Sequence, residues 1–200
     1  EKLDGTNAQV IIEPYEPEKH LNPLAIGTYI NPVPVAFNPE PTVQFISVAI
    51  YAGSKSRILS LDFDNYGFAR WVKEHALELS QLGPGRHFGE YWGQGIQRNY
   101  GLKEKRFSLL NVSRWADDAV RPECCHVVPT LYQGMFDLGR IEESLYLLQH
   151  FGSHAVPGWM KPEGVVIFHT ALNGYFKKTI EGDEVPKSKG EENVPHRQLN

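Results

Sequence analysis

The sequence predicts an α+β domain with a mainly antiparallel sheet. Three observations predict it. Short apolar runs of strand character recur along the whole chain, only two amphipathic helical stretches interrupt them, and those two lie far apart rather than alternating with every strand. At 200 residues, 41% hydrophobic and 22% charged, the chain makes one large domain or two small ones. That composition excludes a disordered or collagen-like chain. Twenty basic against 24 acidic residues give a net charge of −4. A protein that coats nucleic acid non-specifically would be basic, so this class is excluded, although a local basic groove is not. No run of 18 apolar residues exists to span a membrane.

The elements follow in order. Residues 8–12 (AQVII) read as a buried strand. Seven of the 14 prolines then fall between Pro14 and Pro41. Proline removes ladder donors and fixes φ, so residues 13–42 are expected to form an irregular, Pro-rich insertion packed on the body. Residues 43–51 return to strand character. Asp62 and Asp64 offer caps for a helix over 66–82, with Phe68, Trp71, Val72, Leu79 and Leu82 at helical spacing, and Gly83-Pro84-Gly85 stops it. Strands are expected over 88–92, 106–112 and 125–132, then a helix over 140–150 capped by Gly152. Two more strands follow over 164–169 and 175–180. The polar residues 181–200 read as a loose tail.

Four short segments carry chemistry. Lys2-Leu3-Asp4-Gly5-Thr6-Asn7 leads directly into the first strand. Phe88-Gly89-Glu90, followed by Gly93, Gly95, Ile96 and Gln97, places a carboxylate on a strand with backbone room beside it. Pro162-Glu163-Gly164-Val165-Val166 puts another carboxylate before a buried strand, and Lys177-Lys178-Thr179 follows on the next. A single Asp-Gly is an ordinary turn signal; the ordered set is not.

This set resembles the covalent nucleotidyltransferase superfamily, and within it the RNA ligase family, especially the nick-sealing phage RNA ligases. The resemblance runs from residue 1 to about 180. It implies an ATP-grasp-like, DNA-ligase-type adenylyltransferase domain whose antiparallel sheets form a nucleotide groove. It implies ATP as substrate, Mg²⁺ or Mn²⁺ as cofactor, and nucleic-acid ends as acceptors, with RNA favoured over DNA. It assigns Lys2 as the residue that becomes adenylated, Glu163 as a metal-site carboxylate and Lys177 as the lysine on the α-phosphate. Nucleotide contacts are implied for Glu1, Asp4, Gly5, Asn7, Arg57 (or Lys55), Glu90 on the ribose, Leu110 and Lys178. A phosphoramidate requires an amine nucleophile, and an amine attacks only when neutral, a form that desolvation and nearby cations favour.

The chain departs from the family pattern at two motifs. Leu110 stands where an adenine-stacking aromatic is usual, so either Phe107 compensates or nucleotide affinity is lower. The usual Lys-x-Lys is here Lys-Lys-Thr, and on a regular strand Lys178 should face away from Lys177. A capping-type or DNA ligase of the same fold remains an alternative, against which Asn7 stands where those enzymes usually carry arginine. A non-catalytic binding module is the other. The chain reads as cut or processed just before Lys2, a monomer, cytoplasmic or phage-encoded in a host cytoplasm. Adjacent Cys124 and Cys125 give neither a disulfide framework nor zinc spacing; they suggest a reducing compartment and read as strand packing. His150 and His154, at i, i+4, read as surface or capping histidines rather than a zinc pair.

Overall fold

The computed structural model describes residues 1–16, 27–35 and 42–181, with the backbone alone over 27–35 and 42–46. The tail expected at 181–200 lies outside the described residues except for Glu181.

The architecture is α+β. A large sheet is built from β1 (Thr6–Pro14), β2 (Gly27–Val35), β3 (Thr42–Ser54), β4 (Ile58–Leu59), β5 (Gly85–Gly93), β6 (Lys105–Leu109) and β7 (Cys125–Val127). Its order is β2-β3-β1-β5-β6-β7, with β4 paired to the end of β3. Every pairing is antiparallel except β6 with β7. A separate hairpin joins β8 (Gly164–His169) and β9 (Gly174–Thr179).

Alternation sorts the central strands into two faces. On one, Ala8, Val10, Ile12, Val48, Ile50, Ala52, Tyr91, Phe107 and Leu109 are buried under Phe68, Val72, Leu79 and Leu82 of the helical layer. That layer is α1 (Phe68–Glu74), α2 (Ala76–Leu79) and a 3₁₀ turn (Ser80–Leu82). The other face meets the loops through Leu3, Trp92 and Tyr100, packed on Val156 and Trp159. A short α3 (Val112–Trp115) follows β6, and α4 (Leu138–Phe151) packs Leu145 and Leu148 on Val165 of the hairpin.

Several boundaries differ from expectation, each for a local reason. The Pro-rich segment contains a regular strand, β2, which pairs with β3 along nine residues. It lies at the sheet edge, where prolines 32 and 34 cost no central ladder bond. The first helix starts at Phe68, because Tyr66 and Gly67 have positive φ; Asp64 still caps it, accepting the Ala69 and Arg70 amides at 2.7 and 3.1 Å. It breaks at His75, whose φ of −107° ends α1. The strand expected over 106–112 stops at Leu109, because Asn111 caps α3 by accepting the Arg114 amide. The strand expected to reach 132 ends before Pro129. The α4 helix ends at Gly152, with φ 85°, as expected.

Candidate active site

The N-terminal lead threads between the large sheet and the hairpin. Lys2 donates its backbone N–H to Gly164 O at 2.8 Å, and its Nζ forms an ion pair with Glu163. Both side chains are largely buried, at 21% and 11% exposed. Ile180 donates to the Glu163 carbonyl at 2.9 Å, so both strands of the hairpin hold this carboxylate's backbone.

Two residues on, the Asp4 amide donates to Tyr100 Oη at 2.8 Å, and the Asp4 carboxylate accepts from Arg98 Nε at 3.0 Å. Gly5 donates to Glu90 Oε1 at 3.1 Å. A Cβ at position 5 would lie 2.5 Å from Tyr91 O and 2.7 Å from Trp92 Cβ, so only glycine lets the lead approach β5 this closely. The register then aligns Asn7, Glu90 and Ser108 side by side across β1, β5 and β6.

Burial controls the electrostatics. It pushes the Glu90 carboxyl up to about 7, opposed by Lys2 and by the Gly5 N–H, and reinforced by Glu163 and Asp4. Burial also raises Glu163, while Lys2 draws it back. Arg98 is held charged by its bidentate bond to Glu181. The cluster holds two cations, Lys2 and Arg98, and four carboxylates, Asp4, Glu90, Glu163 and Glu181.

The predicted residues divide into those gathered here and those elsewhere. Lys2, Asp4, Gly5, Glu90 and Glu163 form one connected cluster, with Asn7 beside Glu90. Glu1 is adjacent, but its buried carboxylate accepts from Ser153 Oγ at 2.6 Å and from the amides of His154 and Ala155 at 2.8 and 3.0 Å. Arg57 and Lys55 are exposed in the turn between β3 and β4. Lys177 is exposed on β9, in register with Val166. Lys178 lies on the face of β9 opposite Lys177 and pairs with Glu142 of α4. Phe107 is fully buried under the helical layer, against Phe68 and Trp71, and cannot compensate for Leu110.

Leu110 is 45% exposed just beyond β6 and donates its N–H to Phe88 O at 3.0 Å. Phe88, 55% exposed, lies two residues before Glu90 on the same face of β5. The sequence pattern assigned Phe88 no role of its own. Its signal was the alternation Phe88, Glu90, Trp92. Tyr100 joins the cluster through backbone geometry that the sequence does not show: Gln97, Asn99 and Tyr100 all have positive φ, costly for a bulky side chain.

Asp4, Glu90 and Glu163 do not close into a three-donor metal cage among the described residues. Magnesium seldom needs one, since it takes one or two carboxylates and completes its shell with water and phosphate oxygens. Glu163 fits that use. Two surface concavities, lined by Leu61, Asp62, Arg70, Lys73 and Glu74 and by residues of the Leu131–Leu147 region, include none of the Lys2 cluster. No helix among the described residues is long and apolar enough to cross a membrane. No protein-family model matches the chain, and no curated protein or solved structure matches it either.

Proposed function

We propose that the chain is an ATP-dependent polynucleotide ligase, acting on RNA in preference to DNA, through a covalent lysyl-AMP on Lys2. The observation that carries this reading is the buried Lys2–Glu163 pair, with Glu90 fixed to the next turn of the same lead through Gly5. A lysine, two carboxylates and an Asp-Gly from three distant parts of the chain meet at one place, and they suit attack by an amine on a nucleotide phosphate. The reading also takes the domain over 1–180 as an adenylyltransferase unit, monomeric and cytoplasmic or in the cytoplasm of a phage host.

In this mechanism Lys2 Nζ attacks the α-phosphorus of ATP. An N–P bond forms, the P–O bond to the β-phosphate breaks, and pyrophosphate leaves. The amine loses its proton to solvent, and Glu163, in contact with Nζ, holds it in line. Glu90 orients the ribose, and Phe88 with Leu110 offers an apolar edge for the base. Lys177 steadies charge developing on the phosphate. The AMP then passes to a 5′-phosphate end, breaking the N–P bond and returning a proton to Lys2. A 3′-hydroxyl displaces AMP to form the phosphodiester. A magnesium or manganese ion held by Glu163 would supply charge neutralisation on the phosphates.

Incubation of the chain with radiolabelled ATP and magnesium, followed by denaturing electrophoresis, tests the reading. Wild type should carry label and Lys2→Ala none. Label that persists in Lys2→Ala removes Lys2 as nucleophile. Label from GTP alone favours the capping reading, and no label from either nucleotide favours a binding module.

A further inference from the structure

Away from the Lys2 cluster, three residues with metal-binding side chains meet where the helical layer touches the sheet edge. His75 sits at the break between α1 and α2, Glu78 lies in α2, and Cys124 immediately precedes β7. One donor atom from each, the imidazole Nδ1, a carboxylate oxygen and Sγ, all lie within 4.8 Å of one another, and all three residues are partly buried. His75 Nδ1 stands 3.3 Å from Glu78 Oε1. The other carboxylate oxygen accepts the Cys124 backbone N–H at 3.2 Å, which holds Glu78 against the cysteine.

We propose that His75, Glu78 and Cys124 bind a borderline-soft divalent cation of the zinc type. The donor set selects the class: thiolate and imidazole with one carboxylate suit zinc or cobalt, whereas magnesium and calcium take oxygen donors. The spacing agrees. A tetrahedral zinc ion with bonds of about 2.0–2.3 Å has donor-to-donor edges of roughly 3.3–3.8 Å. The His75–Glu78 separation of 3.3 Å already equals such an edge, and Cys124 Sγ lies within 4.8 Å of both donors. On binding, the metal–sulfur bond replaces the S–H bond and the thiol proton leaves to solvent. Neutral imidazole, carboxylate and thiolate then balance the charge of the ion, and water fills the fourth position. The consequence is a tie between α2 and the edge strand β7. Sequence spacing could not show it, because the donors lie 46 residues apart along the chain.

The Trp71 ring, 4.7 Å from the His75 ring, provides a built-in reporter. The test is a titration of the chelator-treated 200-residue chain with Co²⁺, followed by displacement with Zn²⁺. Expected are visible tetrahedral bands, a near-ultraviolet thiolate charge-transfer band, a change in Trp71 fluorescence and one ion per chain by native mass spectrometry. Cys124→Ser should abolish the charge-transfer band, whereas Cys125→Ser should leave it. Glu78→Gln, which keeps an acceptor for the Cys124 amide, and His75→Ala should each weaken binding by about tenfold or more. Zn²⁺ should raise the Tm of wild type but not of Cys124→Ser. Absence of a charge-transfer band in wild type, or its survival in Cys124→Ser, overturns the site. If Cys124→Ser does not fold by circular dichroism, Glu78→Gln decides: unchanged cobalt affinity there overturns the site equally.

Discussion

Burial of Glu90 makes the stability of the molecule depend on pH in a direction that can be worked out. Its carboxyl titrates at about 7 in the folded chain against 4.5 as the ordinary value. The folded state therefore holds a proton that the unfolded state has lost. Stability from this group is fully present below about pH 4.5 and is lost as pH rises through about 7. The loss is on the order of 3 kcal/mol, because each tenfold change in proton affinity is worth about 1.4 kcal/mol. Glu90→Gln keeps an acceptor for Gly5 but removes the titration. Denaturant unfolding from about pH 5 to 8 should show the variant gaining on wild type as pH rises; parallel curves would contradict the buried carboxyl. On the same face, Phe88 and Leu110 can be separated experimentally. Stacking on a base is worth roughly 1–3 kcal/mol, so Phe88→Ala should weaken ATP binding by about tenfold, and Leu110→Phe should tighten it by a smaller factor, about fivefold. Phe107→Ala should instead destabilise by about 3–5 kcal/mol, as for a buried core aromatic. Calorimetric ATP titration and denaturant unfolding read the two effects, and weaker ATP binding in stable Phe107→Ala would reverse the assignment.

The β8–β9 hairpin presents two neighbouring lysines to different surroundings. Lys178 pairs with Glu142 on the side of α4, while Lys177 projects from the other face. Lys178→Ala should therefore cost no more than about 1 kcal/mol of stability, as for other surface ion pairs, and leave ATP labelling intact. Lys177→Ala should slow labelling by about 10²-fold, the usual effect of removing one electrostatic contact from a reacting phosphate. Single-turnover labelling distinguishes them, and equal rates in the two variants would remove Lys177 from the site. This hairpin was legible in the sequence because the apolar runs at 165–168 and 175–176 are short and close together. The opposite faces of the two lysines followed from strand periodicity alone. Other features were hidden by long-range causes. Prolines at 32 and 34 argued against a strand, and what permits one is the edge position of β2, which depends on the whole sheet order. The left-handed Tyr66 and the break at His75 leave no mark in the apolar spacing of 66–82. Arg98 and Tyr100 reach Asp4 through a loop of positive-φ residues, and that geometry is invisible to motif spacing.

Across the whole molecule, the first five residues stitch together parts that lie far apart along the chain. Glu1 fastens the turn at 153–155, Lys2 bonds the hairpin at 163 and 164, Asp4 engages the 98–100 loop, and Gly5 locks onto β5. Glu1→Ala takes the acceptor from the buried Ser153 hydroxyl, while the Ala155 N–H keeps Ser153 Oγ, a cost of about 1–3 kcal/mol. Hydrogen exchange should show faster opening at 153–164 and along β8, with the β1–β5 core unchanged; uniform acceleration across the large sheet would mean that Glu1 supports the global fold instead. The backbone bond of Lys2 carries a further consequence. Because the Lys2 N–H is bonded to the glycine that follows Glu163, the amine and its carboxylate partner are fastened at the backbone as well as at their tips. Loosening this tie, by heat or by substitution at Gly164, is therefore expected to open the hairpin end and to separate Lys2 from Glu163 in one motion.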